Sequence, residues 1–286
     1  MPELPEVESL VGFLRERVGG GVVERVYAVG VHALKTYEPP VGVLEGRAVG
    51  EVGRFGKFLG FRGGDVWLVM HLARGGWVRW KEEVPEVPPR PGKGPLALRV
   101  RLVGGAGFDV TEAGTQKHLA VYVVRDPQEV PGIARLGPDP LGADFTPELF
   151  AGLLRGERRQ IKGVLRDQSV IAGIGNAYSD EILHAAKMSP FKLASALTPE
   201  EVARLYEVTG ATLADAVERS RGLPLRDLKA EKKSGLRVHG RKGEPCPVCG
   251  DTIREVSYRD SSLQYCPTCQ TGGKPLADRR MSRLLK

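Results

Sequence analysis

Val7, Leu10, Val11, Leu14 and Val18 recur three and four positions apart. That spacing predicts an amphipathic helix starting just after Pro5 and stopping at Gly19-Gly20-Gly21. From Val22 to about Tyr122 the period changes. Short β-rich runs such as Val22–Val29, Val66–Leu72, Leu96–Leu102 and Leu119–Val124 alternate with turns bearing Gly and Pro, the pattern of an antiparallel sandwich or barrel. The Pro-rich stretch Val84–Pro95 reads as a loop. Asp126–Phe145 is again punctuated by Pro and Gly and reads as an interdomain linker. Helical patterns follow at Thr146–Leu154, Ile161–Gln168, Ala177–Ala186, Thr198–Tyr206 and Thr209–Ser220, with Thr198-Pro199 a good helix start. A basic, Gly-containing stretch, Lys229–Lys242, leads to a cluster of cysteines.

Composition changes this picture little, and charge changes it more. Charged residues at 27% and apolar residues at 41% suit a globular protein, and 286 residues suffice for two modest domains and a small module. The formal net charge is +7. From Arg226 to Lys286 there are 14 Lys/Arg against 7 Asp/Glu, so the whole excess lies in the C-terminal fifth. A basic terminal segment fits a nucleic-acid contact surface, although a solvated tail would look the same. The opening MPELPEVESL has no basic stretch followed by an apolar run, so no signal peptide is expected. No apolar run approaches the ~18–20 residues that span a bilayer, so no membrane partner is expected and the compartment is expected to be the cytoplasm.

The four cysteines form C-x2-C–x16–C-x2-C: Cys246, Cys249, Cys266 and Cys269. Each pair presents two thiolates from one tight turn, and two such turns complete a tetrahedral zinc site. β-like runs at Ile253–Tyr258 and Leu263–Tyr265 make the module a zinc-bound hairpin. A four-cysteine site leaves no open position for water, so the one Zn2+ is expected to be structural, and in so small a module it supplies much of the folding free energy.

The N-terminal Pro2-Glu3-Leu4-Pro5-Glu6 can be read in two ways. Pro and Glu at a helix start are ordinary capping chemistry. Alternatively, an N-terminal proline freed by loss of Met1 would be a secondary amine. Such an amine titrates well below a lysine and can form an iminium with an aldehyde-like carbon, with Glu3 placed to move protons.

PELPEVE at one end, the four-cysteine hairpin at the other, and Asp167-Gln168 followed by Gly173-Ile174-Gly175-Asn176-Ala177-Tyr178 resemble the formamidopyrimidine-DNA glycosylase/endonuclease VIII family nearly end to end. The resemblance implies an α+β architecture. It comprises an N-terminal β-sandwich with its catalytic helix (1–130), a helix–two-turn–helix domain (144–236) and a zinc β-hairpin (237–273), with DNA in a basic cleft between the two larger domains. It implies a bifunctional glycosylase and abasic-site lyase of base excision repair. Pro2 would attack C1′, expel the base and form a Schiff base, and β,δ-elimination would then cut the strand. Glu3 would assist base loss and ring opening, Glu6 would support it, and Lys57, in Arg54-Phe55-Gly56-Lys57-Phe58, would lie beside the reacting phosphate. Gly175 and Asn176 would meet the DNA backbone at a helix start, with Lys162 also facing phosphate. The partner would be damaged double-stranded DNA, bound by a monomer in the cytoplasm on the nucleoid.

Three departures from the family bear on substrate. Base flipping leaves a hole that inserted side chains fill. The usual His-Leu-Gly-Met-Ser-Gly is here His71-Leu72-Ala73-Arg74-Gly75-Gly76, which puts Arg74 in the wedge position. The second wedge loop reads Thr111–His118, where Gln116 or Lys117 could enter the gap. The family arginine of the zinc hairpin falls on Ser261, with Arg259 two residues earlier as a replacement. Gly222–Leu236 is short for the loop that covers 8-oxoguanine. His239 stands where tyrosine is usual, in a packing or phosphate-side role. The departures of the wedge and of the lesion-covering loop favour oxidised pyrimidines over 8-oxoguanine. Of the two rival readings, a non-catalytic damaged-DNA-binding protein has no use for Pro2, Glu3 and Glu6. An RNA-binding zinc protein leaves the N-terminus unexplained.

Overall fold

The computed structural model describes residues 1–90, 94–258 and 261–277. They form two compact units: Met1–Arg135 with Ser220–Leu228, and Leu136–Arg219 with the described residues from Lys229 onward.

In the first unit, helix α1 spans Leu4–Val18. Its apolar stripe of Val7, Leu10, Val11, Leu14 and Val18 is buried throughout, and the helix lies against the strands β2 (Val49–Phe55) and β3 (Phe58–Gly63). With β4 (Val66–His71) and β8 (Ala120–Val124) these make one antiparallel sheet, ordered β2-β3-β4-β8. The second sheet, also antiparallel, is ordered β1-β6-β7-β5 from β1 (Val23–Ala28), β5 (Gly76–Lys81), β6 (Leu96–Leu102) and β7 (Gly107–Glu112). Phe61 of β3 meets Phe108 of β7 edge to face at 6.3 Å, joining the two sheets as a sandwich in the middle of the core. The four runs read as strands lie at β1, β4, β6 and β8, and the other four strands carry no clean alternation.

The segment 220–228, expected to belong to the helical domain, instead belongs to the sandwich unit. Leu225 and Leu228 join its core, and the Trp77 indole N–H donates to the Leu225 carbonyl at 3.2 Å. Three leucines spread among Gly222 and Pro224 carry no periodicity, so nothing local announces where they pack.

The second unit holds α2 (Pro147–Leu154, capped by the Thr146 hydroxyl), α3 (Ile161–Arg166) and α4 (Asn176–Ala185). The expected pair of helices from Thr198 to Ser220 is a single helix, α5 (Pro199–Ser220). The helix runs unbroken through Gly210, and the buried Thr209 hydroxyl donates back to the Leu205 carbonyl one turn earlier at 2.7 Å. The basic stretch before the cysteines holds a further helix, α6 (Leu228–Gly235). The zinc hairpin pairs β9 (Arg254–Ser257) with β10 (Ser262–Tyr265) and ends in the one-turn α7 (Pro267–Thr271). It belongs to the same unit as the helices. No helix among the described residues is long and apolar enough to cross a membrane.

The turn between β4 and β5 holds Ala73 in the left-handed region (φ 52), where a Cβ crowds the following carbonyl. This is the position at which the related motif carries glycine. Ala73→Gly should therefore raise unfolding free energy by about 1 kcal/mol in urea titration. A loss of stability would mean that the turn does not hold this strain.

Candidate active site and nucleic-acid interface

The start of α1 explains how two carboxylates can be buried side by side. Glu3 is its N-cap, in extended backbone (φ −116, ψ −174), and the helix opens Leu4-Pro5. The Glu6 carboxylate accepts the Glu3 N–H at 2.8 Å, and the Glu3 side chain accepts the Glu6 backbone N–H in return. This reciprocal capping satisfies helix-terminal donors that would otherwise be orphaned, and the helix dipole favours negative charge at this end. Glu3 and Glu6 are 3% and 2% exposed. Pro2 is buried beside them, while Met1 stands half exposed. With Met1 attached, the Pro2 nitrogen is an amide with no basic lone pair. Its removal yields the secondary amine.

Lys57 occupies the turn between β2 and β3, which Gly56 closes with φ 57. An ion pair ties this turn to α1. Arg54 of β2 donates through Nε to the Glu8 carboxylate of α1 at 2.6 Å, and through a terminal nitrogen to the Gly56 carbonyl at 3.4 Å. Lys57 is 7% exposed. His71, last residue of β4, pairs with Phe58 across the β3–β4 ladder, their rings 4.7 Å apart. Burial, reinforced by the Lys57 charge, pushes His71 down to about 4. A neutral imidazole, able both to donate and to accept, thus stands beside the lysine at neutral pH. The sequence offered His71 only as part of a departing motif, since its place beside Lys57 depends on the strand register.

The two wedge candidates lie in adjoining loops. The Ala113 N–H donates to the Gly75 carbonyl at 3.0 Å, joining the turn of Arg74 to the loop of Gln116. Arg74 and Gln116 are both exposed. The buried Glu112 carboxylate accepts the His118 and Leu119 N–H groups at 2.7 and 2.8 Å, which shapes the loop. Lys117 is folded back onto the Glu112 carbonyl at 2.5 Å, leaving Gln116 as the outward side chain of the two.

In the second unit, Asp167 and Gln168 build the turn ahead of α4. The Gln168 amide donates to the Ile174 carbonyl at 2.7 Å, and its oxygen accepts the Gly173 N–H at 2.9 Å. Gly173 adopts φ 85, so the turn requires glycine there. The Arg159 guanidinium and the Ser169 hydroxyl hold Asp167 down at about 2. The turn delivers Gly175 as N-cap and Asn176 as first residue of α4.

Lys162 departs from the expectation that it faces phosphate. It is 5% exposed, and its ammonium is held by Asp180 at 2.6 Å, the Ser179 hydroxyl at 2.7 Å and the Asn176 carbonyl at 3.1 Å. A buried lysine must be paired, and the carboxylate one turn along α4 supplies the partner. It thus acts as an internal tie between α3 and α4.

A polar face of α4 docks the zinc module. Asn176 donates from Nδ2 to the Ser262 carbonyl of β10 at 2.7 Å. The second oxygen of Asp180 meets Nδ1 of His239 at 2.7 Å and accepts the Gln264 N–H at 3.2 Å. Glu181 accepts three successive backbone N–H groups, from Arg237, Val238 and His239, at 2.7–2.9 Å. Burial nonetheless pushes Glu181 above the usual carboxylate range. Arg259, the candidate hairpin arginine, lies outside the described residues.

The four cysteine sulfurs all lie within 4.8 Å of one another, with Cys246–Cys269 at 3.9 Å and Cys249–Cys266 at 3.3 Å. Four thiolates ~2.3 Å from a tetrahedral zinc stand about 3.8 Å apart, so the cluster fits the metal with every position filled by sulfur. Its zinc is structural.

Residues 1–118 match the N-terminal domain of formamidopyrimidine-DNA glycosylase, 136–224 its H2TH domain, and 243–272 the zinc finger found in FPG and IleRS. The chain is 38% identical to the formamidopyrimidine-DNA glycosylase of Thermus thermophilus over 96% of its length and all of that protein's. It is 63% identical to a formamidopyrimidine-DNA glycosylase-like protein of Mycobacterium tuberculosis, over 53% of this chain and 94% of that one. Among solved structures, Lactococcus lactis Fpg (MutM) bound to DNA containing an oxidised pyrimidine superposes with a TM-score of 0.82. That match has 28% identity and covers 94% of this chain and all of that one. The chain belongs to the formamidopyrimidine-DNA glycosylase family.

Because His71 is depressed in the folded state, its contribution to stability is complete above about pH 6.5 and is lost as pH falls from 6.5 toward 4. Nitrogen-15 NMR should find His71 neutral at pH 6, and Lys57→Met should raise its midpoint part of the way toward 6.5. A midpoint unmoved by the substitution would contradict the pairing of the two groups.

Proposed function

We propose that the chain excises oxidised bases from duplex DNA through an iminium on the freed nitrogen of Pro2. Glu3 assists departure of the base and opening of the sugar, and Glu6 supports Glu3. Lys57 and the neutral His71 lie toward the phosphate flanking the attacked sugar, and β,δ-elimination removes the sugar remnant. The observation that carries this reading is the buried start of α1. Pro2 shares it with two carboxylates whose capping bonds fix their positions before any DNA arrives, a preorganised site for charge and proton movement.

Gly175 and Asn176 at the helix start and Arg259 on the zinc hairpin serve the DNA backbone. Lys162 acts indirectly by fixing Asp180 and the first turn of α4. Arg74 and Gln116 fill the gap left by the flipped nucleotide. With two polar side chains in that role, and with Gly222–Leu236 short, oxidised pyrimidines are the favoured lesions. The protein works as a monomer in the cytoplasm, on nucleoid DNA.

The test is turnover on duplexes carrying an abasic site or an oxidised pyrimidine. Pro2→Gly should bind abasic DNA as wild type does yet lose strand cleavage. Glu3→Gln should slow base release by about 10²–10⁴-fold, the usual yield of a general acid–base group. Wild-type protein verified to begin at Pro2, yet inert on every substrate while still binding them, would favour the damaged-DNA-binding reading.

A further inference from the structure

We infer that His184 is a positioning residue of the zinc site, its Nε2–H donating to the Cys246 thiolate so that metal retention depends on the docking of α4. His184 closes a stripe of α4 in which Asn176, Asp180 and His184 stand four residues apart, hence on one face. The first two reach β10 of the zinc module, at Ser262 and Gln264. The third reaches the metal ligand itself: Nε2 of His184 lies 3.2 Å from Sγ of Cys246, with both residues buried.

The tautomer follows from the other nitrogen. Nδ1 of His184 is buried without a hydrogen-bond partner. A proton on Nδ1 would be a buried orphan donor, while Nε2 would turn a lone pair toward a thiolate. A proton on Nε2 leaves only an acceptor unsatisfied and sets an N–H against negative sulfur, the less costly arrangement.

Four thiolates around a divalent ion leave two excess negative charges, and each N–H···S bond draws some of that charge off the sulfur. The Val248 N–H also approaches Cys246, at 3.5 Å, but it belongs to the cysteine turn itself. The imidazole comes from a helix 62 residues earlier in the chain. It therefore ties the metal site to the helix whose first turn carries Asn176. It also lowers the nucleophilicity of Cys246 toward oxidants and competing electrophiles.

The test uses the full-length zinc protein and its cobalt(II)-substituted form, comparing wild type with His184→Leu and His184→Gln. Zinc release to a chelating dye should be roughly tenfold faster for His184→Leu, the usual scale for loss of an outer-shell partner. The sulfur-to-cobalt charge-transfer bands should shift, and His184→Gln, which keeps an N–H donor, should restore much of both. Long-range proton–nitrogen NMR on the wild-type zinc protein should show Nε2 protonated, which decides the matter even where the Leu variant does not fold. A proton on Nδ1 would overturn the inference. So would a folded Leu variant with wild-type release and cobalt spectrum.

Discussion

A buried helix start bearing two carboxylates is the constraint on which the catalytic unit depends. Removing Glu3 and Glu6 from water is costly unless each oxygen finds a donor. The reciprocal capping bonds at the first turn of α1 provide two such donors from the helix's own backbone. That solution fixes the helix start, and the stripe from Val7 to Val18 then fixes which way the helix faces the sandwich. The Glu8–Arg54 pair carries the same geometry to the turn of Lys57, and strand pairing carries it on to His71. Pro2, the two carboxylates, Lys57 and His71 are thus positioned by one chain of local contacts within one unit.

The second unit solves a comparable problem with α4. Asp180 and Glu181 are buried carboxylates at adjacent positions, tolerable because Lys162, His239 and four backbone N–H groups converge on them. These bonds join the helix–two-turn–helix motif to the zinc hairpin. The metal organises the cysteine turns, and α4 organises the metal module. Lys162, which the resemblance places toward phosphate, instead helps hold this junction together.

What could be read in the sequence was what local spacing encodes. The stripe of α1 is legible because five apolar residues share one face, and the zinc site because two C-x2-C turns contain all four ligands. The strands β2, β3, β5 and β7 were not, since Arg, Gly and aromatic residues in them break the alternation and only cross-strand partners make them strands. Helix α5 instead runs unbroken through Val208, Thr209 and Gly210, all of weak helix propensity, with Thr209 buried. Position beside a distant group leaves no local mark. The neutral His71 by Lys57, the inward Lys162, the His184–Cys246 contact and the return of 220–228 to the sandwich each depend on tertiary register.

The most direct test of the central claim, chemistry at the Pro2 nitrogen, is to locate the covalent adduct. Wild-type protein would be reduced with borohydride on abasic duplex DNA, digested with nuclease and protease, and its peptides sequenced by tandem mass spectrometry. The expected result is a single sugar-derived mass on an N-terminal peptide beginning at Pro2, with Met1 absent. An adduct on Lys57 or another lysine, or one formed with Met1 still in place, would contradict it.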